Sequence, residues 1–178
     1  MQQNGSQKTA RALSVIQPTT ITHVFDYESN SSEHQDSFIE TFDKMKEAMT
    51  SGKTITYKSG YSNFAFELWI VLHKADCNRT LSDRSQYLAP INKAYGEQFE
   101  SLKQYKIENN FKRVLGKLCL QDVNNAIQRA KLLTNRNKDT YKLIKYKGYT
   151  YYQENPSLSI WESVSTILSD CGLNKFIL

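Results

Sequence analysis

The sequence predicts a mixed α/β fold in a single domain, and three observations carry that expectation. Residues 21–27, ITHVFDY, crowd β-branched and aromatic side chains into a short run that ends in polar residues, the pattern of a buried strand. The segment FIETFDKMKEAM then places Phe38, Phe42, Met45 and Met49 at helical spacing, and residues 53–59, KTITYKS, are a second strand candidate. Strand, helix and strand thus follow within about 40 residues, the unit that builds a parallel sheet. Beyond residue 76 helical patterns dominate until YKLIKYKGYTYYQ, where aromatics and lysines alternate around Gly148 and predict a small β-hairpin.

Length and composition fit that picture. The 178 residues are 39% hydrophobic and 12% aromatic, with seven glycines and three prolines. A chain of this size buries close to about 70% of the surface its unfolded form exposes, so its core needs neither disulfide nor metal. No apolar stretch approaches about 18 residues, and MQQNGSQKTARALSVIQPTT lacks the apolar core and cleavage site of a signal peptide. A soluble, cytoplasmic protein with no membrane partner is the expectation. Cys77, Cys119 and Cys171 are odd in number and far apart, with no C-x-x-C, and read as reduced, partly buried thiols.

In chain order, residues 7–16 carry a short helical pattern that Pro18 stops. After the first strand, ESNSSEHQD supplies loop and capping chemistry, with Ser32 as N-cap, and Gly52 ends the helix that follows. Residues 60–63 read as a turn, residues 64–74 as a helix apolar on most sides, and residues 83–95 as another helix. Residues 108–133 read as two helices hinged near 116–122, with Asp122 as cap and Val123, Ile127 and Ala130 facing inward. Residues 155–172 read as a terminal helix started by Ser157 or Ser159, with Trp161, Val164, Ile167 and Leu168 inward and Gly172 at its end.

Charge is segregated. Residues 26–47 hold seven acids against two lysines, and residues 103–147 hold twelve Lys/Arg against three acids, within a total of +5. One end could hold cations while the other meets an anion, or two solvated faces of opposite sign could help each other pack. The domain divides accordingly into a sheet-bearing half, residues 1–75, and a mainly helical, basic half, residues 76–178.

Several residues could carry chemistry. Asp26 and Glu28 lie two apart at the end of the first strand, where ligands of parallel α/β sheets bind, and can share one divalent cation. Mg²⁺ suits such oxygens, although strand-end acids also cap helices or stay wet. Glu67 sits in the apolar run SNFAFELWIVLH and must be paired, hydrogen-bonded or on a wet stripe. His73 closes that run about 120° round the helix from Glu67, a place a helix dipole alone can explain. The Tyr/Lys hairpin combines π faces with cations as single-strand binders do, and its tyrosines equally suit ordinary cross-strand pairs. His23 and His34 have no partners at useful spacing.

These segments, taken together, resemble the RloB-like family of prokaryotic proteins. VFDYE stands where that family has a strand-end D-x-D, and SNFAFELWIVLH where it has S-N-P-x-F-E-x-W-x-x-L-H. NNAIQRAKLL and NPSLSIWESVSTIL are similar to its A-I-x-x-A-K and terminal N-P-S-T-x-V helices, so the resemblance spans nearly the whole chain. It implies a TOPRIM-related parallel-sheet core and Mg²⁺- or Mn²⁺-dependent cleavage of nucleic acid, DNA or RNA, in restriction-modification and abortive-infection systems. Carried over by position, Asp26 and Glu28 become the metal acids, Glu67 a further catalytic acid, and His73 and Asn63 second-rank candidates. Lys112, Arg113, Arg129 and Lys131 become the basic residues expected to meet the phosphate backbone.

Three departures qualify the match. Glu28 replaces the second Asp, and Phe64 replaces the proline before the helix. The first-strand glutamate of a TOPRIM site, carried by the family in an E-G-x-x-T-E-like segment, has no counterpart, because residues 1–20 contain no acid. Those residues resemble the helix after that strand, as though roughly 60 to 80 residues were absent, leaving a truncated core. Three roles therefore stand open: a nuclease, a catalytically incomplete nucleic-acid-binding module, and a subunit whose exposed sheet edge pairs with a defence partner or a second copy.

Overall fold

β-branched and aromatic residues along TTITHVFDY give strand β1 (Thr19–Tyr27), which a computed structural model pairs in parallel with β2 (Ile55–Asn63) along its whole length. The structure describes residues 19–50 and 54–173, so the helix expected over 7–16, with Gly52 and Lys53, lies outside the described residues. Helix α1 (Ser32–Met49) makes the crossover between the two strands. Then follow α2 (Glu67–Lys74), a 3-10 turn (Arg84–Tyr87), α3 (Leu88–Tyr95), α4 (Leu102–Tyr105), α5 (Glu108–Leu115) and α6 (Leu120–Thr140). The hairpin strands β3 (Ile144–Tyr146) and β4 (Tyr149–Tyr151), the short β5 (Ser157–Leu158) and α7 (Ile160–Asp170) complete the order. β5 runs antiparallel to the end of β2, so the sheet β1-β2-β5 is small and mixed.

The sheet has different partners on its two faces. Phe25 and Tyr27 point to α1, where Phe38, Phe42 and Met45 meet Tyr61 and the hairpin's Tyr149 and Tyr151 in an aromatic core. Thr22 points the other way and shares a 2.6 Å hydrogen bond with Ser163 on α7. A second, larger core gathers around α2, whose Leu68, Ile70, Val71 and Leu72 pack among α3, α6 and α7. The hairpin turns through Lys147 and Gly148, both at positive φ (48° and 89°), the two-residue turn that suits twisted strands.

Several expectations need correction. β1 is not buried: it is the sheet's outer strand among the described residues, with Ile21 36% and Val24 47% exposed. Residues 60–63 are strand rather than turn. Gly60 lies so close to β1 that a Cβ there would stand 3.0 Å from Thr22 Cγ2, and beyond it Ser62 and Asn63 gain β5 as a second neighbour. Ser31, not Ser32, caps α1, accepting from the His34 N–H, and Met49 is only partly buried. α2 begins at Glu67 rather than Phe64. The helix expected over 83–95 opens as a 3-10 turn because Asp83 Oδ1 holds the Ser85 N–H at 2.7 Å.

The later helices differ as well. α6 runs to Thr140, past the expected end at Leu133, and its N-cap is Cys119. Asp122 instead closes the capping box from inside the first turn and pairs with Lys74 at 2.6 Å. Ser157 belongs to β5, and Ser159 ties α7 to the sheet, its Oγ donating to the Ser59 carbonyl at 2.9 Å and accepting from the Tyr61 N–H. Leu168 is buried, Trp161 and Val164 partly so, but Ile167 is 60% exposed beside an open groove it shares with Thr20 and Thr22. Cys77 is buried, whereas Cys119 and Cys171 are exposed.

Phe42 is fully buried, with ring centroids 5.0 Å from Phe38 and 4.8 Å from Tyr149. Phe42→Ala should cost about 3–5 kcal/mol in urea denaturation. A loss under about 1 kcal/mol would contradict the role of this aromatic layer in joining hairpin, helix and sheet.

Candidate functional site

Strand alternation decides where Asp26 points. Because Phe25 and Tyr27 face α1, Asp26 faces the opposite side, level with Ser62 across the parallel pair. β2 ends at Asn63, and α2 starts at Glu67, placing a carboxylate in the first turn of a helix, where the dipole favours it. Glu67 is only 4% exposed. Its Oε1 lies 3.0 Å from Lys106 Nζ, while its Oε2 is buried with no hydrogen-bond partner. Ser62 Oγ and Asn63 Oδ1 are buried and unpartnered in the same way. Three orphaned oxygens within six residues are a substantial cost in a folded chain, which ordinarily pairs such atoms.

Asp26 is coupled to this group. Burial, and then the nearby Glu67 carboxylate, push it up from 3.8 to about 6, against the pull of the Lys106 ammonium and the Phe66 N–H. Two tyrosines complete the surroundings. Tyr87 donates to the Asn63 carbonyl at 3.3 Å, and burial raises its hydroxyl well above the usual range. Burial does the same to Tyr105, with Glu67 adding to it. Neither a tyrosine nor Lys106 announces itself in the sequence: Lys106 is one of twelve basic residues in its stretch, and periodicity marks the tyrosines only as core.

The remaining sequence-predicted residues lie elsewhere. Glu28 is exposed beyond the strand end, 3.5 Å from His34 Nε2 and 3.6 Å from Arg84, and shares with Asp26, His34 and Ser37 an open groove of about 350 Å³. His73 is buried at the far end of α2, its Nδ1 2.8 Å from the Trp69 carbonyl, and burial lowers its pKa. Asn63 donates to the Gln153 carbonyl at 2.9 Å. Lys112 pairs with Glu108 on an exposed helix face, and Arg113 forks onto Glu97. Arg129 caps α2 through the Leu72 and His73 carbonyls, and Lys131 lies over the Trp161 ring. The hairpin's Tyr149 and Tyr151 are buried in the aromatic core, so they serve packing rather than an open stacking platform.

As a metal site the arrangement is a half-cage. Among the described residues, no three His, Cys, Asp or Glu side chains converge. Asp26 and Glu67, with the unpartnered Ser62 hydroxyl on the same face of the sheet as Asp26, nevertheless form a hard, oxygen-only set, whereas Asn63 alternates to the α1 face with Tyr27. That set fits Mg²⁺ or Mn²⁺ held by one or two carboxylates, the remaining positions falling to water and phosphate.

The raised Asp26 makes a stability test possible. A carboxyl raised in the folded state contributes stability that is complete below its unfolded pKa and is lost as pH rises through about 6. Asp26→Asn, which stays neutral, should therefore be more stable than the parent at pH 8 by about 1–2 kcal/mol, after discounting for partial exposure. The difference should vanish toward pH 4. Equal stability at pH 8, measured in metal-free buffer, would contradict the coupling.

No curated protein and no solved structure matches the chain. No helix of the described residues is long and apolar enough to cross a membrane. A family model described as RloB-like protein matches residues 17–167, a span that takes in β1, Asp26, Glu67, Lys106 and most of α7. On that match the chain belongs to the RloB-like protein family.

Proposed function

We propose that this chain contributes a TOPRIM-related, metal-dependent site for cleaving nucleic-acid phosphodiesters, acting in cytoplasmic defence against phage. The observation that carries the reading is the meeting of Asp26 and Glu67 at the carboxyl end of β1, with one buried Glu67 oxygen left unpartnered. Asp26 and Glu67 would hold Mg²⁺ or Mn²⁺, with Glu28 at the outer rim. The ion supplies charge neutralisation and water activation at a phosphodiester. Residues 103–147, with twelve Lys/Arg against three acids, supply the field that draws a polyanion. Within it, the exposed Lys112–Glu108 pair is worth little and exchanges readily for phosphate, whereas Arg113 and Arg129 are held in intramolecular bonds.

A second reading, a nucleic-acid-binding or protein-interaction subunit that does not cut, draws on a different observation. Among the described residues no three metal-ligating side chains converge, and β1 leaves Ile21 and Val24 exposed along an outer strand. Incubation with single- and double-stranded DNA and RNA separates the two. The first reading expects cleavage with Mg²⁺ or Mn²⁺, abolished by Asp26→Ala and lowered at least about 100-fold by Glu67→Gln, with the fold retained. Cleavage that survives Asp26→Ala overturns it. Salt-sensitive binding with no metal-dependent cutting establishes the second.

A further inference from the structure

The ion pairs of this protein are not alike. Glu97 is satisfied by three donors, Arg113 through Nε and NH2 and Lys117 through Nζ. Asp122 receives Lys74 and the Cys119 N–H on one oxygen. Both carboxylates take two or more donors and join elements. Glu67 differs in that it pairs with one cation, Lys106, while its second oxygen is buried and bare. Lys106 also lowers Asp26, so its ammonium serves both carboxyl groups.

The two ends of Lys106 are held very differently. Its backbone N–H is fixed to the Leu102 carbonyl at 2.9 Å at the end of α4, beside the buried Tyr105. Its side chain is 51% exposed and reaches the site from solvent on a flexible four-carbon stem. An ammonium and a divalent cation near the same carboxylates repel each other, so each weakens the hold of the other.

We infer that Lys106 is the resident counter-cation of the Asp26–Glu67 pair, a positioning residue that a divalent metal ion must displace. The inference rests on the metal reading proposed above. Binding of the ion moves the Lys106 ammonium outward to the mouth of the site, where an incoming phosphate would meet it.

The test is Mn²⁺ affinity measured by titration calorimetry on the full chain. Lys106→Met should bind Mn²⁺ about tenfold more tightly than the parent, and Lys106→Arg, which keeps the charge, should stay near it. Affinity that is unchanged or weaker in Lys106→Met overturns the inference while leaving the metal site standing. If neither parent nor variant binds, the metal reading fails and this one with it. A measurement on the unmutated chain covers the case in which Lys106→Met does not fold. Saturating Mn²⁺ should raise the rate of acetylation of Lys106 several-fold relative to Lys112, scored by peptide mass spectrometry, and an unchanged ratio overturns the inference.

Discussion

The parallel register of β1 against β2 is the constraint on which the rest depends. Nine residues pair in order, from Thr19 opposite Ile55 to Tyr27 opposite Asn63. A slip of one residue would turn Phe25 and Tyr27 away from α1 and carry Asp26 into the aromatic layer. The register is fixed by side chains on both faces: Phe25 and Tyr27 against Phe38 on one, and the close approach of Thr22 to Gly60 on the other. With it fixed, the end of β1 stands beside the end of β2. The short link from Asn63 to α2 then brings Glu67 to the same side as Asp26.

The charge segregation is used in packing as well as at the surface. Lys147 reaches Asp43 at 2.7 Å, and the Tyr146 hydroxyl donates to the same carboxylate, which this lysine and tyrosine hold below its usual range. The basic hairpin is thereby tied to the acidic helix over a shared aromatic core. The family match takes in both halves, so the hairpin and the helices on either side of it belong to the same family unit as the sheet. The site itself runs against this economy. A buried glutamate with a bare oxygen, beside a second carboxyl pushed toward neutrality, costs stability in the folded chain.

Much of this was legible in the sequence, and the misses have physical causes. The strand–helix–strand unit, the hairpin and the helical second half follow from periodicity and turn chemistry, and the mixed α/β class follows from them. Residues 60–63 were misread because Gly60 signals a turn locally, while the close approach of β1, a non-local fact, makes it strand. Ser157 looked like a helix cap because the sequence does not show that two residues there complete the sheet. Asp26, Glu28 and Glu67 are all singled out by residue type and resemblance, and Glu28 does share a groove with Asp26, at its rim. The chain has left the strand by that residue, and Glu28 turns to His34 and Arg84. Lys106 has no signal, because a lysine that reaches Glu67 across 39 positions of sequence has no local pattern.

The central claim is that the cation-binding position lies between Asp26 and Glu67 and not on the acidic surface of α1. Backbone amide spectra recorded with substoichiometric Mn²⁺ test it most directly, since paramagnetic broadening marks the residues nearest the ion. The account predicts that the amides of Asp26, Ser62, Asn63 and Glu67 are lost first. Broadening centred on Glu33, Asp36 and Glu40, with those four unaffected, would contradict it.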